Sequence, residues 1–122
     1  MNELERKMVL QLEDLCQNHH VIGVKAEFEA EGTRLEEAMR LKDVVSSAGL
    51  DLTIKVGGGE ALRDMYEARV IGVERVVGPM IESAYALHKF LAAASLALRR
   101  SVSVAVSSRS MALMTPSIWD AR

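Results

Sequence analysis

Four short apolar runs, each separated from the next by one helix-length segment, constrain the chain most. They are Val21–Phe28, Leu50–Val56, Val73–Met80 and Val102–Val106. Neighbouring parallel strands need a crossover of a dozen or more residues, usually an α-helix. The spacing therefore predicts an α/β fold of parallel βα units.

Within the runs the residues alternate. Ile22, Val24, Ala26 and Phe28 fall on one side, Lys25 and Glu27 on the other. Leu52, Ile54 and Val56 oppose Thr53 and Lys55 in the same way. The segments between them have helical period. Leu4, Met8, Leu12 and Leu15 form one stripe over residues 2–17, and Leu35, Ala38, Met39, Leu41 and Val45 form a second that stops at Gly49. Thr33 and Glu36 have capping-box spacing ahead of that second helix. Glu60–Ile71, closed by Gly72, and Ser83–Leu98 complete the helices.

Parallel strands are usually apolar on both faces because both are covered. Here two strands carry charge on one face, so that face either lines a polar cavity or is exposed. Glu27 and Lys55 lie toward the carboxyl ends of their strands, where α/β proteins place active sites, which favours the cavity.

Lys55 is the first candidate site residue, either to orient a carboxylate substrate or to form a Schiff base. Glu27 is an acid/base candidate or a partner of Lys55. Gly57, Gly58 and Gly59 follow Lys55 and open a helix, which suits backbone contact to an anion or carboxylate. The motif is neither a Walker A loop nor GxGxxG, so it does not imply a nucleotide. Glu29 and Glu31 read as surface charges, His19 and His20 as a turn on the amino-terminal side, His88 as solvated, and Cys16 as a small core residue. No Ser/His/Asp set, zinc spacing or basic aromatic patch can be assembled.

Composition removes several classes. With 122 residues the chain is at most one domain. A net charge of -2 gives no electrostatic reason to expect nucleic acid or an anionic membrane. A single cysteine excludes an intrachain disulfide. The opening MNELERKMVLQLEDL lacks the apolar core of a signal peptide, and no run reaches the roughly 18 apolar residues of a membrane span. The expected location is cytoplasmic.

The segments GVKAEFEAEGTRLEEAMRLK, LTIKVGGGEALRDMYEA and GVERVVGPMIES resemble, in order and spacing, the aldolase/citrate lyase family of TIM barrels. The likeness spans about Val21 to Leu98. It implies a carbon–carbon lyase acting on a 2-oxo acid or related carboxylate, through an enolate stabilised by magnesium or manganese. By that resemblance Lys55 stands where many members place a carboxylate-holding arginine, and Glu27 at an acidic strand-end position. Phe28 stands where a catalytic histidine is common. Gly78–Ser83 corresponds to a loop lining the site, adding Pro79, Met80 and Glu82 as substrate-binding candidates.

A full TIM barrel takes about 250 residues, so the expected domain is a partial barrel over residues 1–106. The family's metal ligands come from later strands, and Ser107-Ser108-Arg109-Ser110 stands where a glutamate is expected. No metal ligand is therefore assigned, and little activity is expected of this chain alone. Open strand edges at both ends favour a homo-oligomer. The alternative is a non-catalytic α/β module that binds an anion at Gly57–Gly59 or serves in assembly.

Residues 107–122 lack the strand–helix rhythm of what precedes them. One synonymous codon set for Ser107 to Ala121, read one nucleotide earlier, encodes ESINGAYDAIDMG. That peptide resembles the family's next strand end and helix. The expectation is an out-of-frame tail that packs poorly.

Overall fold

A computed structural model describes residues 1–107 and the backbone of Ala112–Met114. The elements alternate as read from the sequence. They are α1 (Glu3–His19), β1 (Gly23–Glu27), α2 (Leu35–Ser47), β2 (Asp51–Lys55), α3 (Leu62–Ile71), β3 (Arg75–Gly78), α4 (Ala84–Ala97), β4 (Ser103–Val106) and β5 (Ala112–Met114). β1 to β4 are parallel and adjacent in chain order, and β5 joins the outer edge of β4 antiparallel. β1 and β4 are not paired with each other, so the sheet is open. None of the described helices is long and apolar enough to cross a membrane.

An unreversed strand order places the crossover helices on one face, and burial follows that division. Leu52, Ile54, Val76, Val104 and Val106 are buried in one cluster with Ala38, Val45, Met65, Ala68, Phe90, Ala94 and Ala97 of α2, α3 and α4, and Ala26 is buried too. The alternate residues Lys25, Glu27, Thr53, Lys55, Arg75, Val77 and Ala105 stay partly or fully exposed. One layer of helices therefore makes one dry face.

Several boundaries differ from the expected ones. The strands are shorter by up to two residues at each end, where the chain turns into loops. α2 begins at Leu35, and the carboxylate of Glu37, not Glu36, accepts the Arg34 amide at 2.9 Å. α3 begins at Leu62, so Glu60 lies in the preceding turn. α1 is capped by Asn2 and Glu5, which accept each other's backbone amides at 2.8 and 2.6 Å. Its apolar stripe is not a core stripe: no residue of α1 is buried, Leu4 and Leu15 are exposed, and Leu12 and Cys16 only border the core. The tail contributes β5, a strand its composition did not suggest. Beyond Ser107 and β5, the packing expected of the tail concerns positions outside the described residues.

Two contacts fix the layers. At Gly78 an added Cβ would stand 2.7 Å from the buried Phe90 ring. Gly78→Ala is expected to destabilise by about 1–3 kcal/mol in chemical denaturation. The penalty should fall when Phe90→Leu relieves the overlap.

Glu74 ties α2 to β2 by pairing with Lys42 and accepting the Leu52 amide at 2.7 Å. Partial burial opposes its ionisation, but Lys42 and that amide outweigh burial and hold its pKa below the ordinary carboxylate value. A carboxyl with a lowered native pKa adds stability that is full above the unfolded-chain value and disappears as pH falls through the native one. The stability advantage of the native chain over Glu74→Gln should therefore shrink as pH drops below about 4.3. Urea titrations of both chains across that range check it.

Candidate functional site

The uncovered sheet face carries the charged residues that the alternation assigned to it. Parallel register sets Glu27 beside Lys55, each the last residue of its strand. Lys25 sits two residues earlier on the same face of β1. The Glu27 carboxylate accepts from both ammonium groups, from Lys25 in a close pair and from Lys55 at 3.4 Å. Toward the other end of the face, Arg75 pairs with Asp51 at 2.6 Å. Lys25, Glu27, Thr53, Lys55, Arg75, Val77, Ala105 and Ser107 are among the residues lining a cleft of about 440 Å³.

Lys55 Nζ has three donors and Glu27 shares its acceptor capacity with Lys25. Donors thus remain on Lys55 for a second carboxylate. The Glu27 carboxyl is held below its ordinary pKa chiefly by the Lys25 hydrogen bond, which with the Lys55 contact outweighs a smaller opposing effect of partial burial. A carboxyl stabilised in its charged form is a positioning group, poorly disposed to take up a proton near neutrality.

The glycine loop is arranged differently from an open anion cradle. The Gly57 amide donates to Asp64 at 2.7 Å, and a Cβ on Gly57 would meet Glu29 Oε2 at 2.5 Å. Gly57 and Gly58 line a separate depression with Phe28, Glu29, Ala61 and Asp64. An anion at Gly57 would have to displace one carboxylate beside another. Gly59 packs near Ile81.

Pro79, Met80 and Glu82 follow β3 and line neither depression. Met80 is exposed with a left-handed φ of 49°, and Glu82 is also exposed. The buried member of this loop is Ile81, whose amide donates to the Ser107 carbonyl at 3.1 Å.

Of the sequence candidates, the fold brings Lys55 and Glu27 together and separates them from the glycine loop. Lys25 and Arg75 were not among those candidates, although both line the cleft. Lys25 was legible as the alternate of Ala26, and Arg75 as the alternate of Val76.

Magnesium or manganese does not fit the described residues of this face. Glu27 is engaged by two ammonium groups, and a hard cation needs several converging oxygens. Among the described residues no three His, Cys, Asp or Glu side chains converge.

Comparison with protein-family models, curated proteins and solved structures finds no match to this chain.

The pairing hierarchy at Glu27 can be measured. Lys25→Met is expected to raise the Glu27 pKa more than Lys55→Met does, both toward the ordinary value. Carboxyl titration by NMR reads both shifts, and a larger effect of Lys55→Met would reverse the assignment.

Proposed function

We propose that the chain belongs to a carbon–carbon lyase of the aldolase/citrate lyase type, built on a partial TIM barrel. In this reading it holds a 2-oxo acid or related carboxylate at Lys55 and does not turn it over unaided. The observation that supports this is the Lys55–Glu27 pair at the carboxyl ends of two adjacent parallel strands, beside a cleft of about 440 Å³. Active sites of α/β barrels form at that end.

The chemistry assigned to these residues is binding and orientation. Lys55 supplies a point charge for a substrate carboxylate, without the bidentate fork of an arginine. Glu27 fixes the Lys55 side chain, and Lys25 keeps Glu27 charged, so the site stays ordered before ligand arrives. The substrate enters by sharing Lys55 with Glu27. No step is assigned to a metal, because the residues present do not suit one. An anion module centred on Gly57 is less well supported, since Asp64 already occupies that amide.

The test is titration of the chain with pyruvate and with oxaloacetate, followed by amide and Lys55 ammonium chemical shifts. Saturable shifts centred on β1 and β2 are expected, weakened about tenfold or more by Lys55→Met, a loss of about 1.4 kcal/mol. Product assays on the same samples should stay flat. Binding that survives Lys55→Met, or shifts centred on the glycine loop, would remove this reading.

A further inference from the structure

The two edges of the sheet are not equivalent. One is β1, a strand of five residues, and the other is the three-residue β5; among the described residues no strand pairs with the outer edge of β1. The Ile22 carbonyl and Phe28 amide both bond to β2. The ladder therefore turns the main-chain groups of the even residues inward, and those of Gly23, Lys25 and Glu27 face outward. The Glu27 amide is met only by the side chain of Glu31, at 3.1 Å. The edge is further marked by Ile22, which is 74% exposed, and by a half-buried Val24.

We propose that this edge is a self-association surface, on which β1 of a second copy pairs antiparallel about a two-fold axis at Ala26. Charge selects that register. With the axis at Ala26, Lys25 stands opposite the partner's Glu27, and Glu27 opposite the partner's Lys25. Each such pair exchanges both main-chain hydrogen bonds. Val24 then faces the partner's Phe28, an apolar pair on the helix side.

Moving the axis to Lys25 sets lysine against lysine, and moving it to Glu27 sets glutamate against glutamate. Like charges directly opposite are destabilising in antiparallel sheets. The occupant is a second copy because the strand complements itself. The contact closes as a dimer because an isologous pairing uses the β1 edge of both copies. A head-to-tail contact would set β1 against the three-residue β5, a shorter ladder than β1 against the five-residue β1 of a second copy. Glu31 guards the same edge in the monomer, since its carboxylate takes the amide that the partner's Lys25 carbonyl would accept.

The experiment is sedimentation velocity on the full chain across a concentration series, with circular dichroism to confirm folding. A monomer–dimer equilibrium is expected. Lys25→Pro removes an outward amide, which an edge strand tolerates, and should leave a folded monomer. Lys25→Glu and Glu27→Lys should each weaken the dimer about tenfold or more. Mixed together they should restore it as a one-to-one heterodimer, because each places its new charge opposite the other's. This rescue does not rebuild the Lys25–Glu27 pair within either chain. A chain that stays monomeric throughout, a dimer unmoved by Lys25→Pro, a mixture without rescue, or open-ended polymers would each overturn the proposal.

Discussion

Parallel pairing is the constraint on which the rest of the structure depends. Because β1 to β4 run the same way, the chain must cross over between each pair, and each crossover is a helix. Unreversed order keeps those helices on one face. That face must be dry and tightly packed, to the point that Gly78 has no room for a methyl group beside Phe90. Among the described residues the opposite face has no helical layer to bury it, and it carries charge. Its charges are met sideways, Lys25 and Lys55 on Glu27 and Arg75 on Asp51, by neighbours within the sheet.

The same constraint explains which features were legible in the sequence. Strict alternation in VIGVKAEF and LTIKV assigned each residue of β1 and β2 to its face. With parallel register it also brought Glu27 to Lys55. Alternation is a property of the strand itself, so no distant contact is needed to read it. The stripe on α1 misled because periodicity names a face but not its partner. α1 packs beside α2 at the margin of the core, and Leu4 and Leu15 remain exposed. The helix starts at Leu35 and Leu62 were displaced by a residue or two for a related reason. Thr33 and Glu36 had the right spacing, but the chain entered the helix at Arg34 and used Glu37.

Loop electrostatics were the least legible part. GGGE after a strand suggests bare amides turned toward an anion, and the sequence contains nothing local to contradict that. The contradiction arrives from Asp64, in the first turn of α3, and from Glu29 after β1. Asp64 reaches Gly57 within its own βα unit once α3 folds back on the loop, and Glu29 only when the neighbouring unit stands alongside. Arg75 escaped notice differently: its place opposite Val76 was legible, but beside Glu74 it gave no sign of a partner, and only pairing with β2 reveals Asp51.

The ion pairs of the polar face differ in what they hold. The Lys55–Glu27 contact is long, at 3.4 Å, and ties one strand end to its neighbour, so under the proposed reading a ligand carboxylate can share Lys55 without disturbing the helical layer. Glu74 contrasts with it, because its carboxylate serves a buried strand amide as well as Lys42, and removing it leaves Leu52 unsatisfied inside the core. The chain thus divides its carboxylates by what lies behind them. One at the amino end of β3 secures the layers, and one at the carboxyl end of β1 pairs with two lysines on the polar face. The binding proposed for that face draws on charges that the packing of the helical face does not use.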